Sequence, residues 1–517
     1  MIRCFVFRFA LIGLNIGYIG PVAWGEVKLP AVIGSHMVLE SGMPLTIWGW
    51  ASPDEEVTVA IGETKAATKA DGNGDWVVKL PSMKESSEPL EMIISGTNTI
   101  QLTDILVGEV WIGSGQSNMQ WAVRDTINAN EEIAAADYPK LRLFSVPLVP
   151  SGTPAKDVQA AWTVCSPQSV PGFSAVCYYF GRELHKQLNV PVGMIASSWG
   201  GTRIQPWIPP AGYQSVPELE GERKEIEGQR TGYQAALKNK LPELKSWLEQ
   251  ADKAVAAGEP IGEPPAMPGN PFNSSNGYTG LYNGMIHPIA PFTIRGALWY
   301  QGEANVGQGM HYFDLMRGLI LGWRSVWSQG DFPFLFVQLA PFNYGGNQQA
   351  LPEIWEAQTA TLKVPHTGMA VTTDISDIHD IHPRNKQEVG RRLALWALAK
   401  YHGKTDLVYC GPLYESMAVE GNRIRVKFQH AEGGLASRDG KPLNWFSIAA
   451  ADKKFVPAQA MIDGETVVVE AAEISEPAAV RFGWHQSAEP NLTNKAGLPA
   501  SPFRSDNWSD AVSAPAP

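Results

Sequence analysis

Residues 107–121, VGEVWIGSGQSNMQW, carry a run of strand-forming side chains straight into a small polar turn, and Ser117 sits in that turn. An apolar strand that ends in glycines and then presents a hydroxyl is one way an α/β fold exposes a serine at the carboxyl edge of its sheet. The stretch therefore asks for a parallel sheet with a crevice at its strand ends. It is not the lipase elbow, because G-x-S-x-G needs glycine at position 119 and this chain has Met119. A plain turn or a helix cap has the same appearance, so the chemistry has to be sought further along the chain.

Two later stretches supply it. The run IRGALWYQGEANVG, residues 294–307, is a second apolar strand ending in polar groups, and DISDIHDIHPRNKQEVG, residues 374–390, brings Asp and His together before a helix. A serine, a Gln/Asn loop and an Asp/His pair, in that chain order, meet the needs of acyl transfer on a parallel sheet. Together with SSWGGTRIQPW at 197–207, these strings resemble the sialate O-acetylesterase family, a branch of the SGNH hydrolases, from about residue 27 to residue 509. The resemblance implies an SGNH-type doubly wound, mainly parallel sheet flanked by helices, an acetylated carbohydrate as substrate, and a serine esterase mechanism.

Cleaving an acetyl ester this way takes a nucleophile, a base, an acid that orients the base, and donors for the oxyanion. Ser117 is the nucleophile and His382, in the His-Pro string, the base, with His379 as its neighbour and rival. Asp380 is favoured as the orienting acid, because the Asp-Ile-His-Pro string matches the family; Asp374 and Asp377 stay open. The oxyanion donors are the N–H of Ser117, a glycine N–H from the 197–207 loop and a side-chain amide. Gly201 is the chosen glycine, on the argument that a side chain there would hinder the acyl oxygen, with Gly200 still open. The wider superfamily uses an asparagine in a Gly-x-Asn-Asp string that this chain lacks, so by resemblance Gln301 takes the role and Asn305 is second choice. Arg203, Glu303 and Asn305 are candidates to touch substrate. Arg203 would suit a sugar carboxylate through bidentate pairing, or it would brace the two loops by an ion pair with Glu303. The mechanism requires no metal or organic cofactor, and no Cys/His spacing resembles a zinc site.

At 517 residues the chain is too long for one core. Residues 1–25 read as a cleavable signal peptide, with Arg3, an apolar stretch from Phe5 to Ile19 and a small-x-small site at Ala23-Trp24-Gly25, implying secretion or a periplasm. Residues 26–104 read as an N-terminal β-sandwich module, 105–404 as the catalytic domain, and 405–517 as a C-terminal β module followed by a coil tail. Within the catalytic part, 218–280 is a helical insertion and a long loop, a candidate lid, with Tyr282, Asn283 and His287 beyond it as pocket candidates. No second stretch is long and apolar enough for a membrane span. A net charge of -11 argues against nucleic acid or an anionic membrane as partner. The 18 tryptophans include faces that could stack on sugars, although most are expected in the core. Cys165 and Cys177 are close enough in sequence for a bridge in an oxidising compartment. Beside a carbohydrate O-acetylesterase stand an acetylxylan or broader short-chain carboxylesterase with the same site, and a non-catalytic glycan-binding protein on a dead hydrolase core.

Overall fold

The computed structural model describes residues 26–508, and the targeting segment read at residues 1–25 lies outside them. Its first strands are β1 (Val38–Glu40), β2 (Leu45–Trp50), β3 (Glu56–Ile61), β4 (Thr64–Lys69), β5 (Asp75–Leu80) and β6 (Ser86–Ser95). Along β2, β3 and β5 every second residue is buried, as side chains that alternate across a strand require. β2 and β5 form an antiparallel ribbon, while β3, β4 and β6 lead into β7 (Thr99–Gly115). β7 changes character along its 17 residues. Exposed and buried positions mix up to Asp104 and burial is continuous from Ile105; pairing with β6 extends to Val107, and pairing with the central strands begins at Glu109. The strand runs through residue 104 without a break.

The central sheet continues with β8 (Tyr138–Ser145), β9 (Trp162–Cys165), β10 (Val192–Ser198), β11 (Gly296–Tyr300), β12 (Phe334–Val337) and β13 (Thr367–Ala370). Their spatial order is β13-β12-β11-β7-β10-β8-β9, and every neighbouring pair is parallel except β8 and β9. β7, β11 and β12 are apolar runs buried on both faces, the pattern of a parallel sheet covered on each side. The helices are α1 (Ser117–Gln120), α2 (Ala129–Ala134), α3 (Ala175–Leu188), α4 (Pro210–Ser215), α5 (Glu220–Ala257), α6 (His311–Trp327), α7 (Ala350–Thr361) and α8 (Lys386–Tyr401). α3 and α8 approach closely at Gly390, where a Cβ would lie 2.7 Å from the Phe180 nitrogen. α6 buries Leu315, Met316, Leu319, Ile320 and Trp323 on one face, so these residues are core. α5, by contrast, buries none of its 38 residues and is a solvated insertion ended by left-handed Gly258.

Beyond α8 the chain forms two four-stranded sheets around a separate core that includes Ile424, Val426, Val467, Val469, Val480 and Phe482. The tail read as coil holds two short strands, Leu492–Asn494 and Phe503–Arg504. Its turn-rich, Pro-flanked sequence hides them. It is tied to the catalytic part where Ser501 Oγ meets Gln338 and the Arg504 guanidinium pairs with Glu356. Cys165, Cys177 and Cys410 are buried free thiols, so the bridge that the spacing of Cys165 and Cys177 allows is not formed. Cys165 faces the Ala136 carbonyl and Cys177 the Met119 sulfur, and burial pushes both thiols up to about 12. Among the described residues no helix is long and apolar enough to cross a membrane.

Candidate active site

The register of the sheet gathers the motif loops. Ser114 and Gly115 of β7 lie opposite Ser197 and Ser198 of β10, and Gly115 also lies opposite Tyr300 of β11, so three carboxyl ends share one edge. Gly115 adopts φ +140°, and a Cβ there would lie 2.1 Å from the Tyr300 carbonyl oxygen, which only glycine avoids. The next turn is pinned on both sides: Gln116 N–H donates to the Tyr300 oxygen at 3.1 Å, and Trp199 N–H donates to the Gly115 oxygen at 3.0 Å. Ser117 emerges from this turn at the start of α1, half-buried.

The loop after β13 brings His382 to it. His382 Nε2 lies 2.9 Å from Ser117 Oγ, although 265 residues separate them in sequence. Trp121 stacks on the imidazole with ring centroids 4.8 Å apart and planes 20° from parallel, which fixes the ring's tilt. Burial lowers the histidine's pKa, the nearby Lys386 charge lowers it further, and Asp380 opposes both. A ring held down in this way is neutral, and free to accept a proton, at lower pH than an ordinary histidine.

The three candidate acids separate cleanly. Asp380 Oδ1 lies 3.7 Å from His382 Nδ1 and accepts the main-chain N–H of His382 at 2.9 Å. That ring distance is an ion-pair contact, longer than a hydrogen bond. Asp374 is occupied elsewhere, gripped by both terminal nitrogens of Arg392 at 2.6 and 2.7 Å. Asp377 is exposed and accepts the N–H of His379, itself exposed.

Behind Ser117 lies a buried polar chain that sequence reasoning missed. Asn118 Nδ2 donates to Glu303 Oε1 at 2.5 Å and to the Ile381 carbonyl at 3.0 Å, while Lys386 Nζ donates to Asn118 Oδ1. Lys386 is wholly buried, its ammonium 5.1 Å from the centre of the Tyr300 ring, and burial pulls its pKa down to about 7. Burial likewise raises the pKa of the Glu303 carboxyl, whose second oxygen has no hydrogen-bond partner among the described residues. One amide thus links the nucleophile turn, the residue before His382, and two opposite charges. Asn118 and Lys386 lie inside the GQSNM and DIHPRNKQ strings, but nothing in a residue string marks a lysine as buried.

The predicted oxyanion donors fare differently from one another. The N–H groups of Ser117 and Gly201 make no hydrogen bond among the described residues, whereas Gly200 N–H donates to Gln120 Oε1 at 2.8 Å. Gly200, not Gly201, is the glycine crowded against the serine. A Cβ at Gly200 would sit 3.3 Å from the Ser117 Cβ, while one at Gly201 would meet nothing within 4 Å, and Gly201 instead needs glycine for its φ of +74°. Gln301 is fully buried, and its amide nitrogen donates to Gln116 Oε1 at 3.0 Å, Thr202 O at 3.2 Å and Asn305 Oδ1 at 2.7 Å. Two hydrogens shared by three acceptors leave none for a group arriving above Ser117. Here Gln301 holds the residue that precedes the serine.

Of the three substrate-contact candidates Arg203 is exposed, Glu303 is partly buried and Asn305 is buried, and Arg203 has no ion pair or hydrogen bond among the described residues. The expected Arg203–Glu303 brace is not formed, because Glu303 turns inward to Asn118. Asn305 is buried, with Nδ2 donating to Gln205 and Gln308 and Oδ1 accepting from Ile204 N–H, so it contacts protein rather than ligand. Tyr282 and His287 line a groove of about 660 Å³ with Trp48 and Trp50, and neither Ser117 nor His382 borders it. Geometry, not cavity size, marks Ser117 and His382 as the candidate site.

Comparison with known proteins bears on the chemistry of this arrangement. A family model described as carbohydrate esterase, sialic acid-specific acetylesterase, matches residues 260–399. Mouse sialate O-acetylesterase is 30% identical over 523 residues, covering 92% of this chain and 93% of the mouse protein. The human sialate O-acetylesterase is 30% identical over 452 residues, 78% of each chain. A crystal structure of a carbohydrate acetylesterase from Xanthomonas citri superposes with a TM-score of 0.78 at 33% identity, covering 93% of this chain and all of the other.

Proposed function

The chain belongs to the sialate O-acetylesterase family, which acts on acetyl esters of glycans, and on that premise we propose that it hydrolyses them through a serine acyl-enzyme. The observation that carries this reading is the 2.9 Å contact between His382 Nε2 and Ser117 Oγ at the carboxyl edge of the sheet. Ser117 Oγ attacks the acetyl carbonyl as His382 takes its proton. The negative charge that develops on the carbonyl oxygen is met by the unengaged N–H groups of Ser117 and Gly201, and the space beside Gly200 lets the acyl group approach. Collapse breaks the ester C–O bond, and His382 returns the proton to the departing sugar oxygen. Water, deprotonated by His382, then attacks the acetyl-serine, releasing acetate and restoring Ser117. Asp380 supports the imidazolium that forms twice in this cycle, closing from its 3.7 Å resting distance as catalytic contacts commonly do on substrate binding.

The sheet order and the strand-end position of Ser117 support an SGNH-type arrangement of the catalytic part, and the apolar stretch from Phe5 to Ile19 supports export. For the substrate, an exposed arginine with no ion pair among the described residues suits a carboxylated sugar, so O-acetylated sialic acid is the proposed preference. The test is acetate release from O-acetylated sialic acid and from acetylated xylan, compared for the native chain and Arg203→Ala. The proposal expects the substitution to raise KM for the sialic acid ester and to leave xylan unaffected. Equal effects on both would remove the sialic acid preference while keeping the esterase.

A further inference from the structure

A cavity of about 660 Å³ lies between the outer face of the β2–β5 ribbon and the turn at 282–291. On β2, Trp48 and Trp50 are two residues apart and half-buried, so they stand on one face roughly 7 Å from each other. Their cross-strand partners on β5 are Val77 and Asp75, and Val77 is 53% exposed. Between the two tryptophans Gly49 leaves room for Trp76, whose ring carbon would be 2.8 Å from a Cβ there. Trp76 is 3% exposed, and its indole N–H has no acceptor among the described residues.

The opposite wall carries polar groups with capacity to spare. His287 Nδ1 donates to the Ala155 carbonyl at 3.0 Å, since a carbonyl only accepts, so in the neutral ring Nε2 is an acceptor with no partner among the described residues. Lys156 and Asp75 form an exposed ion pair at 3.2 Å on the rim, offering donors and acceptors at the mouth. Two aromatic faces in file, with hydrogen-bonding groups along their margin, match a sugar ring, which is apolar on its C–H faces and polar at its edge. The volume falls within the range of about 300–1,000 Å³ usual for ligand clefts.

We propose that this groove is a second, non-catalytic carbohydrate site, which takes a glycan chain by stacking its rings on Trp48 and Trp50. The inference rests on the glycan substrate class of the reading above but not on its serine chemistry.

The test titrates xylohexaose and sialyllactose, which carry no ester, into the full chain and follows binding by calorimetry and saturation-transfer NMR. At least one sugar is expected to bind, and Trp48→Ala/Trp50→Ala is expected to weaken it by about tenfold or more. In case that pair disturbs the ribbon, Val77→Arg changes an exposed strand position, with little effect on folding, and fills the groove with a bulky cation. It too should abolish binding, while 4-nitrophenyl acetate hydrolysis stays at the native rate. No binding of either sugar to the native chain at ~10 mM would overturn the proposal, as would binding that survives both substitutions. Because the probes are ester-free, failure here leaves the esterase reading standing, and failure of the esterase reading leaves this binding measurable.

Discussion

Asn118→Ala is the most informative perturbation of the buried chain behind the serine. It deletes the amide that accepts from the Lys386 ammonium and donates both to Glu303 Oε1 and to the Ile381 carbonyl. Lys386 and Glu303 make no direct ion pair, so each loses its polar partner while staying buried. Breaking a buried ionic arrangement by removing one member typically costs about 3–5 kcal/mol. That is a large share of the roughly 5–15 kcal/mol that holds a folded chain together. The bond to Ile381 adds a kinetic effect, because it fixes the residue before His382 relative to the residue after Ser117. Misplacement of a catalytic pair by about an ångström costs on the order of 10²-fold in turnover. The assay is a urea midpoint together with kcat on 4-nitrophenyl acetate. A companion variant, Asn118→Leu/Lys386→Met/Glu303→Leu, removes all three polar side chains at once. It should regain most of the stability, since apolar replacement of a whole buried network is often near neutral, yet it should not regain the rate. If Asn118→Ala costs less than about 1 kcal/mol and keeps the native kcat, the clamp is not what positions the pair.

Three further outcomes follow from the same geometry. Because burial holds Lys386 down to about 7 while an unfolded lysine stays protonated to about 10.4, the unfolded chain binds more protons between those values. Melting temperature should therefore rise from pH 7 towards pH 9.5, a rise that Lys386→Met abolishes; the same substitution removes a charge that depresses His382 and should move the acid limb of the pH–rate profile to higher pH. Asp380→Asn should lower turnover by up to about 10⁴ with an unchanged melting temperature, whereas Asp374→Asn, which breaks the Arg392 pair, should lower the melting temperature and largely spare turnover. Gln301→Leu should cost about 1–3 kcal/mol of stability, through the acceptors on Gln116 and Asn305 that it abandons, and lower turnover less than the roughly 10²- to 10³-fold typical of a direct oxyanion donor.

The legible part of this molecule is the part written in period and turn chemistry. Gly115 before the serine and the apolar runs of β7, β10 and β11 announce a parallel sheet with loops at one edge, and β11 has the bounds that its run of apolar residues marks. α6 and α8 follow from helical spacing in the same way. β8, β9 and α7 escaped because their residues carry no sharp alternation and sit among prolines and mixed polar groups. At the site, residue strings indicate which loops meet but not which way an amide points. Gln301 has the composition of a donor, yet its hydrogens face inward to three acceptors. Lys386 reads as a surface lysine at a helix start, and only the packed fold shows its ammonium enclosed beside Tyr300. Tyr282 and His287 read either as pocket residues or as a turn with a hydrogen-bonded histidine; His287 is hydrogen-bonded to the Ala155 carbonyl, and tertiary packing sets both residues against the N-terminal ribbon.

The central claim is that Ser117 is a nucleophile activated by His382, and covalent labelling tests it most directly. The native chain is treated with a fluorophosphonate and its intact mass measured, with the modified residue located by peptide mapping. The account predicts one adduct, on Ser117, formed quickly in the native chain, slowly in His382→Ala and not at all in Ser117→Ala. An adduct on another serine, or labelling of Ser117 at the native rate in His382→Ala, would contradict it.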